Sequence, residues 1–269
     1  MQSMLRLLVL IIFTGKGKMS KIISCHQPNF MPYLGFFDKM KQSDVLVIRD
    51  EVLFIERDFH HRNRIRINGS DNLNNPQSKF LTVPVEKTPE YIRDININTE
   101  VKMKNVPWNQ SMLHNINVAY RGADHFSEFF PGIKKILDNS DEKLIDLNMK
   151  LINFLKQGFG IETPILMASE LGLKSPHYIP GSSDASEDLA NICEAVGADT
   201  YLSGGGGKNY LKSNPFTEKG IAVKFQEYEH PIHKQKHPGF LPYMSAIDAL
   251  FCTGKFPLIE KELNVLQKV

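Results

Sequence analysis

At 269 residues and 42% apolar content the chain can fill one large core or two small ones, and its formal net charge of +2, from 32 basic and 30 acidic residues, gives no overall field to recruit nucleic acid or a membrane surface. Any anion site must therefore be local. Cys25, Cys193 and Cys252 are widely spaced and form no CxxC pair, which argues against a disulfide framework or a zinc ribbon and fits a reducing, cytoplasmic setting.

Taken in order, residues 1–18 carry a short apolar run, Leu7 to Phe13, behind Arg6. It is too short to span a bilayer, no small-x-small cleavage site follows, and Lys16 and Lys18 come directly after it. These residues read as a start-site extension or a disordered tail, and residues 19–269 as a single domain with no membrane span. Residues 21–48 then give a β-branched run, a proline-rich polar turn, a short helical pattern and a second apolar run: one strand–loop–helix–strand unit. Pro28 and Pro32 fix φ and bias Gln27 and Met31 toward extended geometry, so the loop should hold one shape. His26 and Gln27 fall at the carboxyl end of the first strand, where open α/β sheets bind ligands.

Residues 62–67 alternate polar and apolar, a strand with a basic outward face, and the turn-rich residues 68–76 return the chain through 80–85 as an antiparallel partner. Helical patterns follow at 107–120, 133–137 and 141–159. In the last, Leu144, Leu147, Leu151, Ile152 and Leu155 share one face, and Gly158 or Gly160 ends it. A buried strand is expected at 163–168. Ser182, Ser183 and Asp184 offer N-caps for a helix over 189–196 that Gly197 stops. Residues 200–203 form a strand leading into Gly204, Gly205, Gly206, Gly207 and Lys208, a second strand-to-loop junction able to converge on the first. A strand at 221–225, an irregular segment at 228–240 and a helix at 245–251 stopped by Gly254 complete the chain. The pattern predicts an α/β, Rossmann-like fold: a largely parallel sheet flanked by helices, with an antiparallel hairpin and a helical insert at about 105–160.

Several residues carry candidate chemistry. The glycine run can present backbone N–H groups to an oxyanion or phosphate, with Lys208 adding charge, although it matches neither GxxxxGK[ST] nor GxGxxG and reads equally as a plain turn. Asp50 and Glu51, near Arg62, Asn63 and Arg64, could orient an amine or take a proton; mutual pairing on a solvated face is the simpler account. His26 can act as a base or cap a turn. Cys25 beside it points to the other face of a strand and reads as a buried thiol. His230, His233 and His237 with Glu229 lack the helical HExxH spacing of a zinc site, and no metal is expected.

In one order, the blocks His26-Gln-Pro-Asn-Phe-Met-Pro-Tyr-Leu-Gly-Phe-Phe37, Asp44, Asp50-Glu-Val52, Arg62-Asn-Arg-Ile65, Leu81-Thr-Val-Pro-Val85, Tyr201-Leu-Ser-Gly204, Tyr210-Leu211, His230-Pro231 and Ser245-Ala-Ile-Asp248 resemble the WbqC-like protein family over roughly residues 21–254. The resemblance implies a role in bacterial surface-polysaccharide (O-antigen) biosynthesis, with transfer of a glycyl or other aminoacyl group to the amine of a nucleotide-linked amino sugar. Two departures stand out: Leu53 occupies a position where the family pattern carries glutamine, and His233 one where tyrosine is expected. For such a transfer His26, Asp50 and Glu51 are the catalytic candidates. The Gly204 to Gly207 amides would meet the oxyanion, and Arg62 and Arg64 would hold a diphosphate. Gln27, Asn29, Asn63, Ser203, Lys208, His230 and Gln235 complete the expected substrate-binding set. The partners implied are a nucleotide sugar and an acyl or aminoacyl carrier donor. No resident cofactor is expected, ATP or an acyl carrier serving only as donor-side reactant. Two alternatives remain: amino-acid adenylation, since the first unit is laid out like a nucleotidylyltransferase but has Phe36 and Phe37 where the second motif histidine belongs, and a non-catalytic sugar-nucleotide-binding protein.

Overall fold

The computed structural model describes residues 20–68, 76–86, 90–139, 142–173 and 185–258. The first unit forms as β1 (Ile22–His26), α1 (Leu34–Lys41) and β2 (Val45–Ile48), with β1 and β2 parallel from Ile23↔Val45 to His26↔Ile48. Helix α1 buries Leu34, Phe36, Phe37 and Met40, and places Lys39 and Lys41 in its last turn, where cations complement the helix dipole.

The chain then leaves the sheet. It makes an antiparallel hairpin of β3 (Arg62–Ile67) and β4 (Gln77–Thr82), then a tight hairpin of β5 (Lys102–Met103) and β6 (Val106–Pro107). The small hairpin turns through Lys104 and Asn105 at φ 52° and 66°, the left-handed pair that a two-residue turn needs to match strand twist. Three helices follow: α2 (Trp108–Tyr120), α3 (Phe126–Asp138) and α4 (Leu144–Gly158). The chain re-enters the sheet as β7 (Ile165–Met167), then runs through α5 (Ala185–Val196), β8 (Thr200–Ser203), α6 (Asn214–Thr217), β9 (Ala222–Phe225) and α7 (Ile247–Thr253).

All neighbours in the β7-β2-β1-β8-β9 sheet are parallel. The side-chain period of two splits the core accordingly. Leu46 and Ile48 pack with Phe36, Met40 and the α2–α4 and α7 helices, whereas Ile23, Cys25, Val45 and Val47 pack with Leu189, Ile192, Cys193, Tyr201 and Phe216. Both faces are covered, as a parallel sheet requires, and the fold is α/β and Rossmann-like.

Three expectations change. Helix α3 is far longer than residues 133–137, because Phe129-Phe130-Pro131-Gly132 looks like a breaker but lies inside it. Gly132 is what lets α3 approach α4: a Cβ there would sit 2.2 Å from Phe154 Cε2. The return strand is Gln77–Thr82 rather than 80–85, and Val85 instead makes an isolated bridge to Ile97. Met31 is not extended; it has φ 42°. Residues 1–18 and the caps Ser182, Ser183 and Asp184 lie outside the described residues. Among the described residues no helix is long and apolar enough to cross a membrane.

The inserted helices are tied to the first loop by Asn148 on α4, a buried side chain whose Nδ2 donates to the Pro28 and His60 carbonyls, each at 2.8 Å. Removing it strands both acceptors. Asn148→Ala should lower unfolding free energy by about 2–4 kcal/mol, read as a lower urea midpoint at unchanged slope.

Candidate functional site

Numbered along the chain within the sheet, the strand order is 3-2-1-4-5, so the connections from β1 and into β8 run on opposite sides of the gap between those strands. Ligands of open α/β sheets sit at this switch point, beyond the carboxyl ends. The pairing Ile22↔Thr200 and Ile23↔Tyr201 makes β1 and β8 neighbours, and their carboxyl ends, His26 and Ser203, open on the same edge. The two strand-to-loop junctions therefore lie side by side.

His26 turns toward α1, with its ring 4.7 Å from that of Phe36. Its Nδ1 lies 2.9 Å from the Gln27 carbonyl, which can only accept, so Nδ1 carries the proton and Nε2 keeps its lone pair. Burial, and then the charge of Lys39, push its pKa down to about 3. At neutral pH it is an acceptor and a weak base. Cys25 faces the opposite core, where burial raises its thiol to about 12.

The loop after β1 is clamped from the hairpin. Gln27 Oε1 accepts from His60 Nε2 at 3.0 Å. Asn63 donates through Nδ2 to the carbonyls of Phe30 at 3.2 Å and Met31 at 2.7 Å, while its Oδ1 accepts the Arg64 amide at 2.8 Å. Those bonds hold buried Met31 in the left-handed region, against the bias of the following proline and at a cost of roughly 1–3 kcal/mol. Asn63 thus spends its amide on shaping the loop. Asn29 is buried, and its Oδ1 has no hydrogen-bond partner among the described residues.

On β8, Ser203 Oγ donates to the Gly204 carbonyl at 3.1 Å, and the Gly207 amide closes onto the same oxygen at 2.9 Å. A Cβ on Gly207 would lie 2.1 Å from Ser203 Oγ. Gly205 and Gly206 are exposed, and among the described residues their amides donate to no other backbone group. Lys208 is exposed, its Nζ 5.7 Å from the Phe225 ring centroid.

The adjacent carboxylates diverge. Asp50 accepts from Ser169 N at 3.0 Å and Ser169 Oγ at 2.6 Å, joining the end of β2 to the turn after β7. Glu51 pairs with Arg49 beside Asp188 of α5, on a cavity of about 340 Å³, and burial outweighs Arg49 in raising its pKa. Arg62 and Arg64 lie over Phe80 at 4.6 and 5.9 Å, giving β3 its basic face. Among the described residues no hydrogen bond or ion pair joins either guanidinium to His26 or to the glycine turn. The Arg64 carbonyl accepts from Ser245 N at 2.8 Å, and Ser245 bridges Tyr33, so the hairpin borders the site through its backbone.

In the irregular segment, His230 Nδ1 meets Tyr228 Oη at 2.9 Å within a ring cluster that includes Tyr243 and Phe240, and burial brings its pKa down to about 4. Gln235 donates to the Leu241 carbonyl at 2.9 Å and Asp248 Oδ2 at 2.8 Å, and accepts from Leu241 N at 2.9 Å. Its amide closes the segment. His233 bonds to Asp248 and His237 to the Ala119 carbonyl; among the described residues no three His, Cys, Asp or Glu side chains are grouped to hold a metal ion.

One residue escapes the sequence reading. Lys39 is only 5% exposed, and its Nζ donates to the Cys25 carbonyl at 2.9 Å. Helical spacing carries the signal, since Lys39 lies three residues after Phe36 on the face that meets the sheet.

The sequence model of the WbqC-like protein family matches residues 27–258, from the loop after His26 to beyond α7. The chain belongs to the WbqC-like protein family. It is also 28% identical over 236 residues to the uncharacterized protein Rv1507c of Mycobacterium tuberculosis, a match covering 87% of this chain and 94% of that protein. No solved structure gives a significant match. Both the His26 loop and the glycine turn of this WbqC-like protein thus fall within or directly against the matched stretch.

Two outcomes follow from this geometry. His26, His60 and His230 sit below the ordinary 6.5, at about 3, 4 and 4, so the unfolded chain takes up their protons first. Stability contributed by these groups is present above pH 6.5 and falls as pH drops toward 4. Urea midpoints across that range should show the slope, and His60→Gln, which keeps a donor for Gln27, should flatten it. Gly207→Ala must push aside the buried Ser203 hydroxyl, and should cost about 1–3 kcal/mol by the same measurement.

Proposed function

We propose that this WbqC-like protein acts in the bacterial cytoplasm, transferring an aminoacyl group of glycyl type to the amine of a nucleotide-linked amino sugar used for surface polysaccharide (O-antigen) assembly. The observation that carries the reading is the meeting, at one switch point, of an imidazole with a free Nε2 lone pair and a glycine turn with undirected amides. In the transfer, the neutral amine attacks the acyl carbon, the new C–N bond forms, and the bond to the donor's leaving group breaks. His26 Nε2 accepts a hydrogen bond from the amine and aims its lone pair. Its low proton affinity suits an acceptor that orients, with the released proton passing on to the leaving group. In this reading the amides of Gly205 and Gly206, which donate to no backbone group among the described residues, receive the oxyanion that develops on the acyl oxygen. Asp50, already bonded twice to Ser169, supports the adjoining strand end and not the proton transfer. The donor is an activated aminoacyl group, supplied by ATP-dependent activation or by a carrier.

The 3-2-1-4-5 strand order with a histidine on its first loop also supports a second reading, adenylation of an amino acid, in which the same loop grips a nucleoside triphosphate. Purified protein incubated with nucleotide-linked amino sugars, glycine, ATP and cell extract should give a glycylated sugar by mass spectrometry. His26→Asn should lower the rate about 10²-fold. Pyrophosphate released from ATP and amino acid in the absence of any sugar would replace the first reading with the second.

A further inference from the structure

Lys39 is a group at the switch point whose placement the rest of the described chain does not explain. A lysine this deeply buried normally meets a carboxylate, because the ammonium loses its hydration on leaving water. Among the described residues no carboxylate lies within ion-pair distance of it, and the Cys25 carbonyl takes only one of its three protons. Its ionisable neighbours offer no compensation. Cys25 is a neutral thiol, and His26 is an imidazole that burial, and then the Lys39 charge, hold neutral. The ammonium therefore stands at the carboxyl end of β1 with two donors to spare and no counter-charge.

The space in front of it is set by β8. An ideal Cβ on Gly204 would come within 3.9 Å of Lys39 Nζ, so a longer side chain there would occupy the ground beside the ammonium. Gly204 itself has φ −63° and ψ 157°, a conformation open to any residue. Backbone strain therefore does not call for glycine at this position, whereas a side chain extending beyond Cβ would crowd Nζ.

We infer that Lys39 receives a phosphoryl oxygen of a nucleoside diphosphate lying between β1 and Gly204. A phosphoryl group carries permanent charge, which a standing buried cation needs and a transient oxyanion does not provide, and the first βα crossing is where sheets of this order hold a diphosphate. The inference deepens the proposed function and rests on it only in taking the ligand to be phosphorylated. It places the phosphoryl contact at the sheet edge, leaving Arg62 and Arg64 to other parts of the ligand. Lys39 binds; it takes no proton from the substrate.

The test uses the full chain, pyrophosphate as the base-free core of any nucleoside diphosphate, and titration calorimetry. Wild type should bind pyrophosphate. Lys39→Met keeps the length of the side chain without its charge, so it should melt at or above the wild-type temperature without ligand, while its pyrophosphate affinity falls about tenfold or more. Gly204→Val should keep the fold and weaken binding similarly, and it decides the matter should Lys39→Met fail to fold. Wild type that does not bind pyrophosphate, or variants that bind it as wild type does, would overturn the assignment. The two proposals fail separately: weakened binding in the variants upholds Lys39 even where no acyl transfer is found, and acyl transfer with unchanged pyrophosphate affinity in Lys39→Met removes Lys39 alone.

Discussion

Parallel pairing of β1 with β8 is the constraint on which the rest of this molecule depends, because their connections leave on opposite faces and no crossover can cover the carboxyl ends between them. His26, the Gly204–Gly207 turn and Lys39 belong to three separate elements. They become neighbours only because that pairing puts the ends of β1 and β8 on one edge with α1 packed behind. The β-strands are short and buried on both faces, so the pairing is held by cores on both sides rather than by the length of the ladder.

A crevice alone does not make a site; the walls must hold their shape before a ligand arrives. Here the excursion between β2 and β7 supplies the walls. Asn148 from α4 and Asn63 from β3 fasten the backbone of the first loop from two directions, and His60 fixes the amide of Gln27. That grip is strong enough to hold Met31 at φ 42° ahead of a proline. The hairpin and helical body thus act on the site through hydrogen bonds to main-chain carbonyls, and the strain is concentrated in the loop that the site uses.

The electrostatics of the edge are one-sided. Burial keeps the histidine and the thiol at the end of β1 neutral and also lowers the Lys39 pKa, to about 8, so that its ammonium still stands beside them at neutral pH. The carboxylates that sequence proximity would place at the same centre turn away instead, Asp50 to Ser169 and Glu51 to Arg49. An edge with acceptors, free amides and an unmatched cation favours an anionic ligand, in a protein whose net charge is close to zero.

The sequence by itself determined the elements and both loops of the site. Strand runs, proline punctuation and glycine stops located the sheet strands and most helices, and His26 and the tetraglycine run stood out because polar and glycine residues directly follow apolar strands. Its failures have particular causes. Pro131 and Gly132 masked a helix that tertiary packing against Phe154 sustains, and the pre-proline rule for Met31 gave way to Asn63. Only the tertiary structure decided which polar atoms are free. Gln235, Asn63 and Asp50 look available in a string of letters but bond within the chain, whereas Lys39 looks like a solvated helix residue but is buried without a counter-charge. The reason is physical: local pattern fixes which face a side chain takes, but whether its hydrogen-bonding capacity is spent depends on partners far away in the chain, which only folding brings within 3 Å.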